Sequence, residues 1–303
     1  MTGAGGPEPP VMDPELINRM ARVGEKITGE YGGFLLQHAK MDQLPAASDG
    51  KDVAELVILD EACGTGAISS RLLHMFDDKT RAMTDLTMLD ITKPPLEYAE
   101  RRIQREGYNL KAFRTLQGDA TDTKLPSSHF THIFLAFGPM MFNDWRAALR
   151  EIYRMLRPGG LVAMSTWGDG GWLPDVRAAL ASDPSLPQAP SAKELLEAFS
   201  PGSDWSEPKW IKGTLQGFEF EDIQIETKPR TGTLDGMDEF MITVPLTLGN
   251  VIEKCWSQEQ AEAHGERAKE TLVKHVTQKY GSGEIKWGWV AHLVTARKPV
   301  IAN

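Results

Sequence analysis

The chain has 303 residues, 41% of them hydrophobic, and a formal charge of −9 from 33 Lys and Arg against 42 Asp and Glu. That length and apolar content suffice for one elaborated core, while the acidic balance argues against a nucleic-acid backbone as the main partner, which calls for a basic surface. Two cysteines, Cys63 and Cys255, are too few for a disulfide framework and suit a reducing compartment. The opening MTGAGGPEPP carries neither a basic segment nor an apolar one, and no run approaches the roughly 20 apolar residues that span a bilayer. A cytoplasmic protein without a membrane partner is the expectation.

Residues 1–50 read as a helical N-terminal arm or cap. Leu16, Ile17, Met20, Val23 and Ile27 recur near the helical period within Asp13 to Gln43, and Tyr31-Gly32-Gly33 is expected to divide that helix into two pieces. Pro45 to Lys51 is a polar linker. Residues 51–303 read as one α/β domain with lid insertions at 168–215 and 237–283. It opens with Leu56 to Leu59, a continuous apolar run typical of a parallel strand buried on both faces. The run ends in Asp60-Glu61. Gly64 and Gly66 then permit a sharp turn into a helix over Ala67 to Met75, whose first amides face the crevice at the strand's carboxyl end.

The same rhythm repeats downstream. Arg81 to Thr92 predicts a second strand ending at Asp90, followed by a helix over Pro95 to Glu106 with proline near its first turn. Ala112 to Leu116 predicts a third strand stopping at Gly118-Asp119, and His132 to Phe137 a fourth, running into Gly138-Pro139. Asn143 is the expected cap of a helix carrying Trp145, Leu149, Ile152 and Leu156, which Arg157-Pro158-Gly159-Gly160 stops before a fifth strand over Leu161 to Thr166. The rhythm breaks between Gly168 and Gly213, a stretch rich in Pro, Ser and Ala with Trp172, Trp205 and Trp210. A sixth strand at Ile223, Ile225 and Thr227, a mostly helical Met237 to Lys279 and a last strand over Lys286 to Lys298 complete the chain.

Strand-helix alternation implies a doubly wound, mostly parallel sheet. Asp60, Asp90 and Asp119 then close three successive strands at one edge. Ligands of such sheets lie across the carboxyl ends at the switch point, so three acceptors in a row suit a ligand rich in hydroxyl and amino donors.

On the motif Asp60-Glu61-Ala62-Cys63-Gly64-Thr65-Gly66, with Asp90, Gly118-Asp119 and Arg157-Pro158-Gly159-Gly160, the chain resembles the class I S-adenosylmethionine-dependent methyltransferases over roughly Val53 to Thr166 plus the last strand. The resemblance implies a Rossmann-like sheet of seven strands and S-adenosyl-L-methionine as cofactor. It implies that Ala62, Cys63, Gly64 and Gly66 wrap the methionine part, that Asp90 accepts from the ribose hydroxyls and that Asp119 meets the adenine amine. Asp60 and Gly118 join this cofactor set, and Ala120, Ala136 and Phe137 would line the adenine and the sulfonium. By family analogy the N-terminal arm folds over the cofactor, which makes Tyr31 a further contact and His38 a candidate base. The Trp-bearing insertion is similar to those of fungal methyltransferases of secondary metabolism, including enzymes that methylate thiols of gliotoxin-like compounds. That similarity implies a small-molecule acceptor, thiol favoured over phenol or amine, with Met141, Trp172 and Trp205 as substrate contacts.

Competing readings remain at this level. Gly64-x-Gly66 with a later acidic residue also suits a nicotinamide-dependent Rossmann oxidoreductase, although Ser69 stands where that fingerprint has Gly or Ala. A non-catalytic cofactor-binding adapter would keep the glycine turn and Asp90 but lack an acceptor pocket. His129-x-x-His132 falls on an extended segment, where an offset of three puts the rings on opposite faces, so no metal is expected. Oligomeric state leaves no mark in the sequence.

Overall fold

The computed structural model describes residues 14–44 and 55–300. Asp13 and the expected linker at 45–51 therefore lie outside the described residues. The arm is one helix, α1 (Pro14–His38), rather than two pieces. Its glycines serve close approach instead of a break: a Cβ on Gly32 would stand 3.0 Å from Ile68 Cδ1, and one on Gly29 only 2.3 Å from an Arg71 guanidinium nitrogen. Without side chains at those points α1 lies directly against the helix that carries Ile68 and Arg71.

The core then runs β1 (Leu56–Glu61), α2 (Ala67–Met75), α3 (Asp78–Ala82), β2 (Thr84–Asp90), α4 (Lys93–Glu106), β3 (Ala112–Gln117) and β4 (Phe130–Ala136). It continues with α5 (Trp145–Met155), β5 (Leu156–Asp169), three helices α6 (Leu173–Ala181), α7 (Ala192–Phe199) and α8 (Pro208–Gly217), and β6 (Glu221–Leu234). Helices α9 (Met237–Thr243), α10 (Leu248–Cys255) and α11 (Gln258–Tyr280) precede β7 (Ile285–Arg297). The second strand starts later than Arg81 because Asp77 accepts from the Thr80 amide at 2.7 Å and caps α3 across that position. Asp144, accepting from the Ala147 amide at 2.9 Å, caps α5 in place of the expected Asn143.

All strands join one seven-stranded sheet in the order β3-β2-β1-β4-β5-β7-β6. Strands β1 to β5 are parallel, and β7 runs antiparallel between β5 and β6. The order reverses between β1 and β4, which is where a doubly wound sheet opens a crevice at its carboxyl edge. Alternation along β1 sends Leu56 and Ile58 into the core shared with α1, α2 and α4, and Val57 and Leu59 into the core shared with α5 and α8. A third core joins Val23, Ile27 and Tyr31 of α1 to α6, α7, α10, α11 and β7, so these inserted helices pack with the arm over the carboxyl edge.

Candidate active site

The glycine turn is held from below. Asp60 is buried, and its Oδ2 accepts from both the amide (3.1 Å) and the hydroxyl (2.6 Å) of Ser69 in the first turn of α2. Burial pushes its pKa up to about 6 against the opposing Ser69 bonds, and the neighbouring Asp90 charge adds to the rise. Asp60 thus fixes the helix that follows the turn and does not line the cavity above it, a correction to its place among the cofactor contacts. Gly66 enters α2 at φ 72, packed so that a Cβ would lie 2.7 Å from Met88 Cε and 3.0 Å from Ala99 Cβ. Ala62 also lies in the left-handed region, at φ 49, a conformation that glycine adopts more readily.

Asp90, 7% exposed, ties the two ends of the crevice together. Its Oδ2 accepts from the Gly64 amide at 2.8 Å, while Oδ1 accepts from the Thr92 amide at 2.8 Å and from the Thr92 hydroxyl. A cavity of about 420 Å³ opens beside it, walled by Ala62, Leu89 and Ile91, by Gly118 to Thr121, and by Met141 to Asp144. Asp119 stands in this wall with Oδ1 engaged by the amide and hydroxyl of Thr121, both at 2.8 Å, and with no bond to Oδ2 among the described residues.

Two further cavities adjoin it. One of about 270 Å³ lies between Gly64, Thr65 and Ala67 of the turn and Ile17, Met20, Gly24 and Thr28 of α1, with Leu246 at its side. The other, about 130 Å³, is mainly apolar. Met140, Met141, Trp167, Trp172, Leu173, Leu195, Leu196, Phe199 and Leu246 wall it, with Asp169 and Asn250 as its polar groups. Sequence reasoning missed most of this wall. Trp167 and Asp169 could have been found by extending the strand-end rule to β5, whereas Phe199, Leu246 and Asn250 come from helices and turns that no local motif marks.

Met141 and Trp172, expected as substrate contacts, both line the apolar cavity. Trp205 does not: it is 0% exposed, donates to Ser200 Oγ at 3.3 Å and packs edge-on against Trp145 and Trp210, so it belongs to the core under α5 and α8. Tyr31 is likewise buried, its hydroxyl donating to the Trp289 carbonyl at 3.1 Å, and burial pushes its pKa up to about 12. The part of α1 that meets the turn is its first half, not Tyr31. His38 contacts the Gln224 carbonyl at 3.4 Å and Glu226 at 3.6 Å on edge strand β6. Through β7, Gln224 is level with Ala163 in the middle of β5, so His38 is remote from the carboxyl edge and cannot act as the base.

Cys63 is buried in the core under the turn, which drives its thiol pKa upward. Ala136 and Phe137 do not line these cavities. Phe137, at φ 56, turns its ring onto Trp167 with centroids 3.9 Å apart, and its amide donates to the Ser165 carbonyl at 3.0 Å. Glu61 went unnoticed in the sequence. It is fully buried, neither carboxyl oxygen has a partner among the described residues, and burial, then the Glu151 charge, raises its pKa well above the ordinary range.

Among the described residues no group of three His, Cys, Asp or Glu is placed to hold a metal ion, and no helix is long and apolar enough to cross a membrane. A family described as "Methyltransferase domain" matches residues 58–160. Methyltransferase tpcH of Aspergillus fumigatus is 32% identical over 91% of this chain and 94% of its own length. The chain is a class I S-adenosylmethionine-dependent methyltransferase. The methyltransferase is also 33% identical to the acetylaranotin bis-thiomethyltransferase of Aspergillus terreus, over 92% of this chain and 93% of the relative. In fold it matches the YcgJ protein of Bacillus subtilis with a TM-score of 0.50 at 14% identity, covering 86% of this chain and 97% of that one. Membership settles the choice against a nicotinamide oxidoreductase and against an adapter.

S-adenosylmethionine is the cofactor, and the site accommodates it. One cavity lies on each side of the Gly64–Asp90 bond, and Asp119 offers an unengaged carboxylate oxygen at the wall of the larger one.

Proposed function

We propose that this methyltransferase transfers a methyl group to a small secondary metabolite held in the apolar cavity, with a thiol as the favoured acceptor. Asp90 would receive the ribose hydroxyls, Asp119 and Ala120 the adenine, and the cavity between Gly64, Thr65 and α1 the methionine part. The observation that carries this reading is the pair of carboxylates, Asp90 and Asp119, on one cavity wall, with Asp90 bonded to the turn that borders the next cavity. When bound, S-adenosylmethionine would supply an electrophilic methyl group whose bonding pair stays with its sulfur, the acceptor would supply the lone pair, and the acceptor's proton would leave to water.

The protein's contribution is orientation and exclusion of water. Alignment of nucleophile, carbon and leaving group is worth several kcal/mol, about 7–11 in the best intramolecular cases. Trp167, Trp172, Leu195 and Phe199 present an apolar wall that displaces water from the acceptor. The titratable side chains on the three cavities are carboxylates alone: Glu25, Asp90, Asp119, Asp144 and Asp169. Carboxylates are weak bases. A thiol with pKa near 8.5 is partly ionised at neutral pH and needs no stronger one, whereas an aliphatic alcohol does. The Aspergillus terreus relative, an acetylaranotin bis-thiomethyltransferase by name, supports the same preference.

The test uses labelled S-adenosylmethionine with matched thiol, phenol and amine acceptors, read as methylated product, alongside calorimetry of S-adenosylhomocysteine binding. Transfer to the thiols is expected to exceed transfer to the others. Asp90→Ala should weaken cofactor binding by about 1–3 kcal/mol through its lost charge-assisted bonds. Equal transfer to phenols and amines would remove the thiol preference, and unchanged affinity would remove Asp90 from the cofactor site.

A further inference from the structure

Two side chains each border two of the three cavities. Met141 walls both the 420 Å³ cavity beside Asp90 and the apolar cavity. Leu246 walls both the 270 Å³ cavity beside Gly64 and that same apolar cavity. The apolar cavity thus meets one half of the cofactor path at Met141 and the other at Leu246. Both are unusually open for large apolar residues, 52% and 53% exposed, while the other large apolar residues of the cavity wall are buried or half-buried.

Neither sits on a loose loop. Met141 ends a short 3₁₀ turn, Pro139–Met141, closed by its amide on the Gly138 carbonyl at 2.9 Å. Leu246 ends another, Val244–Leu246, with Pro245 inside it and the buried Thr247 hydroxyl bonded back to the Thr243 carbonyl at 2.9 Å. The Leu246 carbonyl also accepts from Asn250 Nδ2 at 2.6 Å. Beside a cavity, exposed apolar surface on an anchored turn can be covered by a ligand with a gain of hydrophobic free energy and little backbone ordering cost.

The size and charge of the cavity narrow the ligand. Its volume of about 130 Å³ is close to the roughly 150 Å³ of an engineered cavity that takes up one benzene. A second fused ring would exceed that volume and would have to lie toward Met141 or Leu246, where the cavity borders its neighbours. No cationic side chain lines the cavity, and its one charged group, Asp169, carries no ion pair or side-chain hydrogen bond among the described residues. An anionic acceptor would meet repulsion there, and the otherwise apolar wall would strip a cation of most of its hydration, so the lining favours an uncharged one.

We infer that Met141 and Leu246 form the two jambs of the transfer point, and that the cavity behind them takes one uncharged, ring-sized apolar end of the acceptor. This rests on the proposed function for the site's role but not on its thiol preference. The test reads binding without turnover. Protein loaded with S-adenosylhomocysteine is titrated by calorimetry with benzenethiol, 2-naphthalenethiol and 4-mercaptobenzoate. Benzenethiol is expected to bind about tenfold tighter than either of the others, the scale of discrimination a shaped apolar pocket provides. Met141→Ala and Leu246→Ala should each reduce the naphthalene-to-benzene ratio of dissociation constants about fivefold or more, because each widens the mouth. Met83→Ala, an exposed apolar residue remote from the cavities, controls for general loss of surface.

A ratio that changes less than fivefold in both variants would overturn the assignment, as would equal binding of the carboxylate-bearing thiol. Methyl transfer to the same thiols is measured separately. Selective binding without transfer would count against the thiol reading and leave the transfer point standing.

Discussion

Gly66→Ala isolates the packing that positions the cofactor turn. The new methyl group meets two opposing forces in the native state: a backbone at φ 72, and contacts of 2.7 Å to Met88 Cε and 3.0 Å to Ala99 Cβ. A left-handed backbone costs an alanine about 1–2 kcal/mol. Met88 can withdraw its terminal methyl only into a fully buried neighbourhood, and Ala99 lies on α4, whose backbone does not yield. Overpacking of that kind adds about 1–3 kcal/mol. The lost flexibility of the unfolded chain returns about 0.4–1 kcal/mol, leaving a net destabilisation of about 1–5 kcal/mol. Ala62→Gly is the internal contrast: φ 49 is relieved without creating a contact, and the glycine's extra unfolded entropy offsets it, so stability should stay within about 0.5 kcal/mol of the parent. Denaturant unfolding gives both values, and calorimetry with S-adenosylhomocysteine should show weakened binding for Gly66→Ala only. A Gly66→Ala protein as stable as the parent would refute the claim that α2 is held against α4 at this point.

Glu61→Met should raise stability by about 1–3 kcal/mol, because it removes an orphaned buried carboxyl while keeping its length; a lower unfolding midpoint would mean that the carboxyl has a partner in solution. Asp60 has a folded pKa of about 6, above its unfolded value, so its contribution is complete below about pH 4 and lost as pH rises through about 6. Asp60→Asn should flatten the stability profile across that window, and an unchanged slope would refute the assignment. Asp175 is the hub of the inserted helices, accepting from Lys279 (2.6 Å), Tyr280 (2.9 Å) and Trp287 (2.9 Å). Burial opposes its ionisation, yet those bonds prevail and hold its pKa below the ordinary value. The stability it confers is therefore present above its unfolded pKa and lost in acid as pH falls through the folded one. Asp175→Ala should destabilise by about 2–4 kcal/mol at pH 7, less than a wholly buried pair because Lys279 can turn to water; thermal unfolding within a degree of the parent would contradict this.

The parts of this site that the sequence made legible are those written locally. An apolar run, an aspartate and a turn occupy adjacent positions at each of the first three strands, so the carboxyl edge could be read from order alone, and Asp90 and Asp119 do stand together on one cavity wall. The errors came from inferring a role from residue type. Trp205 is a substrate candidate because aromatic rings suit flat ligands, and Tyr31 a cofactor candidate because its arm is expected over the cofactor, but a large ring equally suits a core, and only tertiary packing distinguishes the two. His38 was chosen because a base is often histidine, and register with β6 places it mid-strand at the sheet's far edge. Asp60 shows the subtler case: the sequence located its strand end correctly, yet the alternation of side chains along β1 and the hydroxyl of Ser69 decide which direction its carboxylate faces. The apolar cavity was least legible of all. Its wall gathers Met141, Trp167, Phe199 and Leu246 from four separate segments of the chain, and an enclosure assembled by long-range packing has no period, spacing or motif to announce it. In a fold whose cofactor half is specified by contiguous turns and whose acceptor half is specified by contacts between insertions, the first can remain fixed while the second changes shape with a few apolar substitutions.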